Sequence, residues 1–301
     1  MLSSYSESII YRLYLLINII MTTLRQLSDS TCKKLAPIYG DREAHWLFRT
    51  IMEHVKGWNQ VELALRADKE VSDFIVGRVD DAAGRLLEGE PVQYIYGDTY
   101  WHGMTLKVTP AVLIPRPETE ELVDIIVKDN TKSDLKVLDV CTGSGCIAVA
   151  LARSLNFPEV SGLDISDDAL AIARENASAL KVDVNFFKAD ALNLSKVENE
   201  FDIIVSNPPY VLESEKAGID KNVLDHEPHL ALFVPDDDGL KFYKAIASYA
   251  KTALTDGGRL YFEVNPLTAS QLKSWMESEG WNDVNLLPDM YGKTRFLIAE
   301  K

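Results

Sequence analysis

The chain has 301 residues, 47% hydrophobic and 26% charged, enough apolar material for two domains, one small and one of about 200 residues. A formal net charge of -15, with no cluster of Lys and Arg to make a local basic patch, argues against a nonspecific grip on nucleic-acid phosphates. Three cysteines, Cys32, Cys141 and Cys146, odd in number and at no metal-ligand spacing, point to a reduced cytoplasmic compartment and to no metal site. In chain order, residues 1–21 come first. Their apolar run at 9–20 is interrupted by Arg12 and too short to span a bilayer, and it lacks the basic start and small-residue cleavage site of a signal peptide. The preferred reading is an over-extended or disordered start ahead of Met21; an interfacial anchor is the alternative.

Residues 22–90 read as a small helical domain. Ser28-Asp-Ser30 offers a cap, Ala44, Leu47, Ile51 and Val55 follow Asp41 at helical spacing, and Val71, Phe74, Ile75, Val79, Ala82 and Leu86 mark another helix. His45 and His54 do not share a helix face and are read as packing residues. Residues 91–115 switch to strand-like alternation, at 93–96 and 104–108 around Gly97-Asp98 and His102-Gly103, which predicts a β-hairpin linking the domains. Arg116 and Glu118 then either face a ligand or pair with each other. From 116 to 301 the pattern alternates: strands near 136–140, 159–164, 183–188, 201–206, 258–264, 282–287 and 294–299, with helices near 146–154, 167–179, 239–253 and 267–279. That alternation predicts a doubly wound, Rossmann-like α/β sheet with helices on both faces.

Two stretches carry the chemistry. In the first, a strand ending near Asp139 runs through Cys141, Thr142, Gly143, Ser144 and Gly145 into an Ala-rich helix, a turn whose backbone N–H groups can approach a ligand at a helix N-terminus. Asp164, at the end of the next strand, stands where an acidic residue grips ribose hydroxyls. Gly143, Gly145 and Ala148 also match a dinucleotide fingerprint, which keeps a nicotinamide-dependent oxidoreductase open. Asp167 and Asp168 are assigned to the start of the following helix. The second stretch is Phe201 to Tyr210, an apolar strand stopped by Asn207-Pro208-Pro209-Tyr210. The Asn207 side-chain oxygen and the Pro208 carbonyl are two acceptors able to hold both hydrogens of a planar NH2 group, with Tyr210 over its flat face. A Pro-Pro turn closing a strand is the plain alternative, and an adenine amine is as suitable a guest as a carboxamide. Beyond it, 213–238 reads as a long acidic loop in which His226 and His229, around Pro228, find no third metal ligand.

The order Asp-x-x-Thr-Gly-Ser-Gly at 139–145, Asp164, Asp190 and Asn207-Pro-Pro-Tyr210 resembles the class I S-adenosylmethionine-dependent methyltransferases. With Pro91-Val-Gln-Tyr-Ile-Tyr-Gly97 and Ile114-Pro-Arg-Pro-Glu-Thr-Glu120 ahead of it, the chain from about residue 25 onward resembles the release-factor glutamine N5-methyltransferases (HemK/PrmC family) in particular. Cys141 stands where that family usually has Gly, and Glu263-Val-Asn265-Pro266 where it has Glu-Ile-Gly; a small Cys and an Asn tolerant of left-handed backbone are expected to absorb both changes. The resemblance implies S-adenosyl-L-methionine as cofactor, with 141–145 on its methionyl part, Asp164 on the ribose, Asp190 and Ala191 at the adenine, and Asn207 at the junction with the acceptor. It implies that Asn207, Pro208, Pro209 and Tyr210 hold the glutamine of the Gly-Gly-Gln motif of peptide chain release factors, whose nitrogen attacks the sulfonium methyl in line and sheds its proton afterwards. A ribosomal-protein glutamine is the neighbouring substrate. It implies that 22–90 docks the protein substrate, that 116–301 is the methyltransferase domain, and that 227–232 shapes the pocket wall. No direct nucleic-acid or membrane partner is expected, and the protein is expected to be a cytoplasmic monomer.

Overall fold

The computed structural model describes residues 22–197 and 200–301, so the apolar segment at 1–21 lies outside the described residues. The chain divides into two compact units between Tyr96 and Gly97. The first holds α1 (Leu24–Tyr39), α2 (Asp41–Lys56), α3 (Gln60–Leu65), α4 (Asp73–Leu87) and α5 (Val92–Tyr96). Its core takes in most of the helical-spacing residues read from sequence: Ala44, Leu47, Ile51, Val71, Ile75, Val79, Ala82 and Leu86 are buried, joined by Leu35 and Met52, whereas Val55 is only partly buried and Phe74 is 72% exposed on the outer face of its helix. Each large buried side chain contributes about 1.5–3 kcal/mol by leaving water. Helix α1 starts earlier than the Ser28–Ser30 cap predicts. Thr23 accepts from Gln26 N while Gln26 Oε1 accepts from Thr23 N, a reciprocal capping box that places Ser28 and Ser30 inside the helix. The predicted strand at 93–96 is instead the single helical turn α5, in which Tyr94 and Ile95 N–H groups return to the Pro91 carbonyl. Four alternating residues are too few to separate the two periods, and the fixed φ of Pro91 favours the helical start.

The second unit opens on the hairpin of β1 (Asp98–Trp101) and β2 (Met104–Lys107), whose turn places His102 and Gly103 at positive φ. The hairpin is thus shorter than the predicted 91–115. Next comes α6 (Pro117–Asp129), a helix absent from those predicted from sequence; Pro117 in its first turn with Glu118 and Glu120 beside it are ordinary helix-start signals. The alternating region then runs β3 (Lys136–Val140), α7 (Cys146–Ser154), β4 (Glu159–Asp164), α8 (Asp167–Leu180), β5 (Asn185–Lys188) and β6 (Phe201–Ser206). An excursion follows, holding β7 (Val211–Leu212), α9 (Lys221–His226) and β8 (Phe233–Val234), before α10 (Lys241–Ala253), β9 (Leu254–Glu263), α11 (Ala269–Ser278), β10 (Asn282–Pro288) and β11 (Thr294–Glu300). The acidic stretch 213–238 is therefore folded, with β7 and β8 paired in parallel and short 3-10 turns between them.

Seven strands form one sheet in the order β10-β11-β9-β6-β3-β4-β5, parallel except where β11 runs against both its neighbours. Side chains alternate between two cores. Leu138, Val140, Ile204, Leu260 and Phe262 join α10 and α11 on one face, while Val137, Ile203, Val205 and Tyr261 join α6, α7 and α8 on the other. Burial on both faces is why these strands read as unbroken apolar runs. The winding reverses at β3, which is bonded to β4 on one side and β6 on the other, and Val140 is in register with Ser206. The ends of β3 and β6 are therefore level, and ligands bind at such a reversal in an open α/β sheet. Among the described residues no helix is long and apolar enough to cross a membrane.

Candidate active site

A cavity of about 460 Å³ opens at the carboxyl ends of β3, β4 and β6. It brings together Cys141, Thr142, Gly143, Ser144, Asp164, Asp190, Ala191, Asn207 and Pro209 from the sequence-predicted set; Gly145, Pro208 and Tyr210 do not line it.

The loop after β3 is held from below by Asp139, which is fully buried. One carboxylate oxygen accepts from Thr142 Oγ1 (2.6 Å) and Ala148 N (3.2 Å), and the other has no partner among the described residues. Burial pushes this carboxyl up to about 7, against the two hydrogen bonds that lower it. Cys141 sits at φ +64, the left-handed region that favours glycine, and so stands where a Gly would be easiest. Gly143 is also left-handed (φ +55), and a Cβ there would meet nothing within 4 Å, which leaves its backbone open to a ligand. Gly145 serves packing instead: a Cβ there would stand 3.0 Å from Ala173 Cβ and 3.1 Å from the Phe186 ring. Asn176 clamps the same loop, its Nδ2 donating to the Ser144 carbonyl (2.9 Å) and its Oδ1 accepting from Lys107 N (2.7 Å). Burial holds the Cys141 thiol well above its usual range and pushes the Cys146 thiol up to about 12, so neither serves as a nucleophile at neutral pH.

Asp164 accepts from Gly143 N (2.9 Å) through Oδ2 and from Ser166 N (3.0 Å) through Oδ1, which ties the end of β4 to the loop and leaves lone pairs on both oxygens. Its pKa is raised, by burial first, with the Ser166 and Gly143 amides opposing. Asp190 is turned by Leu192 N (2.9 Å). Asp167 forms an exposed pair with Lys188, in keeping with its assignment to the helix start.

The other wall is assembled from distant residues. Asn207 Nδ2 donates to Thr119 Oγ1 (3.3 Å), and Thr119 donates to Glu263 Oε2 (2.6 Å). Tyr210 donates to Glu263 Oε1 (3.0 Å), so the phenol expected over the flat face of a guest is tied by its hydroxyl to a buried carboxylate. Burial raises the pKa of Glu263; the bonds from Thr119 and Tyr210 and the charge of Arg295 oppose it. Asn265, which follows in the family-variant segment, is not left-handed as expected. It ties the Tyr210 carbonyl (3.0 Å) and Glu215 (2.6 Å) together through Nδ2. Arg116 pairs with Glu227 (2.6 Å), whose other oxygen accepts from Ile114 N (3.2 Å), rather than with Glu118. Pro228, Leu230 and Ala231 beyond it line the cavity. Among the described residues no group of three or more His, Cys, Asp and Glu could hold a metal ion.

Sequence reasoning missed Thr119, Glu263 and Asn176 as parts of the site. Glu263 carried a usable signal, since it ends β9 as Asp164 ends β4, and Thr119 stands in the Ile114–Glu120 motif that carries the family resemblance; Asn176 carried none.

The parallel sheet, its reversal at β3 and the glycine loop beneath the cavity define a class I methyltransferase. A methyltransferase from Pyrococcus furiosus shares this fold, at 19% identity with a TM-score of 0.51 over 74% of this chain and 98% of that one. Residues 118–228 match the family model described as methyltransferase small domain, and 26–97 match the PrmC N-terminal domain. The release factor glutamine methyltransferase of Flavobacterium psychrophilum is 42% identical over 87% of this chain and 94% of its own; that of Bacteroides thetaiotaomicron is 41% identical over 89% and 97%. The chain belongs to the release factor glutamine methyltransferase family.

Proposed function

We propose that this chain methylates, from S-adenosyl-L-methionine, the side-chain amide nitrogen (N5) of the glutamine in the Gly-Gly-Gln motif of peptide chain release factors. The observation that carries this reading is the amide of Asn207: its NH2 is engaged by Thr119, and its oxygen is left as an acceptor on a residue that lines the cavity. When bound, S-adenosylmethionine supplies a methyl group on a positively charged sulfur. The open backbone at Gly143 and the lone pairs of Asp164 fit that ligand. Segment 141–145 holds its methionyl part, Asp164 grips the ribose hydroxyls, and Asp190 with Ala191 borders the adenine. On the acceptor side, Asn207 Oδ1 and the Pro208 carbonyl take the two hydrogens of the glutamine amide, while Pro209 and Tyr210 flank it. Fixed acceptors of this kind counter the conjugation that makes a carboxamide nitrogen a poor nucleophile, and they hold it in a near-attack position.

The substrate class rests on the relatives at 41–42% identity, whose names carry that activity. The unit built from α1 to α5 docks the release factor, the protein works as a monomer in the cytoplasm, and the net charge of -15 weighs against nucleic acid as acceptor. The test is incubation of the purified protein with methyl-labelled S-adenosylmethionine and, separately, a release factor, a ribosomal protein and DNA. Incorporation into the release factor is expected. Label confined to the ribosomal protein or to adenine, or none at all, contradicts the reading.

A further inference from the structure

Asn207 is a planar amide whose two ends differ only in chemistry: one donates and the other accepts. Which end faces an acceptor substrate decides whether the site can hold an NH2 group, and the neighbours of Asn207 fix that choice. Thr119 is 2% exposed, in the first turn of α6, and its hydroxyl carries a single hydrogen. That hydrogen goes to Glu263 Oε2 at 2.6 Å, the shorter bond of the pair. Glu263 is itself 1% exposed, and as a carboxylate it can only accept, from Thr119 at Oε2 and from Tyr210 at Oε1 (3.0 Å). With its hydrogen committed, Thr119 Oγ1 can only accept from Asn207, at 3.3 Å. The NH2 end of Asn207 must therefore point to Thr119 and its oxygen away from it.

Resting on the methyl-transfer reading above, we infer that Thr119 is a positioning residue which, anchored by Glu263, locks the Asn207 amide in the orientation whose oxygen accepts from the substrate NH2. Without Thr119, the amide is free to flip and set its own NH2 against that of the substrate, two donors facing each other. The side-chain partners of Thr119, Asn207 and Glu263, stand on the acceptor wall and not on the glycine loop or Asp164, so its removal lowers turnover without loosening the cofactor.

The test is a double-mutant cycle with steady-state kinetics on a release factor. Thr119→Val is expected to lower kcat about tenfold, with KM for the release factor and cofactor affinity within about twofold of wild type. Thr119→Ser, which restores the hydroxyl, is expected to return kcat to within about threefold. On an Asn207→Ala background, Thr119→Val is expected to cost less than about twofold further, since the amide it orients is gone. Independent, additive losses, or a failure of Ser to rescue, would overturn the proposal. One measurement is indifferent to turnover: in 15N-labelled protein the Asn207 side-chain amide proton bonded to Thr119 should be shifted downfield and protected from solvent exchange in wild type, and should move upfield and exchange faster in Thr119→Val. Unchanged resonances would overturn the positioning role even if methyl transfer stands. An inactive wild type with the expected change in resonances would instead overturn the methyl-transfer reading and leave the amide lock in place.

Discussion

Asp139 and Glu263 are both carboxylates buried beneath the cavity, one in β3 and one at the end of β9, yet they are satisfied in opposite ways. The partners of Asp139, Thr142 and Ala148, lie three and nine residues along the chain. Those of Glu263, Thr119 and Tyr210, lie 144 and 53 residues away. The glycine-loop wall is thus a local object, a strand, turn and helix start that folds onto its own acid. The Asn207 wall exists only once α6, β6 and β9 have come together. One wall presents backbone groups, which suit a ligand recognised by shape; the other presents a single oriented side chain, which suits a reacting group.

The sharpest way to separate the walls is through their acids. Asp139 has a folded pKa of about 7 against 3.8 for an unperturbed carboxyl. A raised carboxyl contributes stability that is present below the unfolded value and is lost as pH rises through the folded one. Across pH 4 to 7 the wild type should therefore lose on the order of 4 kcal/mol from this group, about 1.4 kcal/mol for each unit. Asp139→Asn cannot ionise and should flatten that slope, so urea unfolding should show the variant gaining on wild type as pH rises. Parallel profiles would mean that Asp139 is ionised in the fold.

Removing the oriented amide comes next in size. Asn207→Ala should reduce turnover by roughly 100-fold or more while sparing cofactor affinity, as loss of a fixed contact to the reacting group does. Asp164→Ala should do the reverse, weakening cofactor binding by roughly 10- to 150-fold, measured by calorimetry, with the fold intact. An exchange of these two signatures would erase the distinction between the walls. Gly162→Ala addresses packing beneath the glycine loop. A Cβ there would stand 2.7 Å from the Phe186 ring and 3.0 Å from Thr142 Oγ1, so a loss of about 1–3 kcal/mol is expected by denaturant unfolding. Smallest of all is Asp167→Ala, which removes a pair whose side chains are 56% and 73% exposed and should change stability by about 0.5 kcal/mol or less.

The same contrast explains what could be read from the amino-acid sequence. The strands at 136–140, 159–164 and 201–206 and the helix at 146–154 stand where periodicity placed them, because strands buried on both faces and an Ala-rich helix announce themselves locally. The loop of Cys141 to Gly145 and Asp164 belong to that local wall, and the cavity gathers all of them but Gly145. Misreadings fell where a segment was short or its role came from elsewhere. Residues 93–96 are one turn long and follow a proline. Helix α6 goes unpredicted behind Pro115 and Pro117, although the second proline opens the helix. The roles of Thr119 and Asn176 come from atoms 32 or more residues away, Asn207 and Glu263 for the first and Lys107 and Ser144 for the second. Arg116 was free to be matched with Glu118, two residues on, until the fold brought Glu227 to it.

The account turns on one acceptor atom, the side-chain nitrogen of a glutamine held by Asn207. The most direct measurement is fragmentation mass spectrometry of a release factor, the proposed acceptor, after reaction with heavy-methyl S-adenosylmethionine. The account predicts a single heavy methyl on the side-chain amide of the Gly-Gly-Gln glutamine, absent when that glutamine is replaced by glutamate. A methyl on any other residue, or one that survives the replacement, would contradict it.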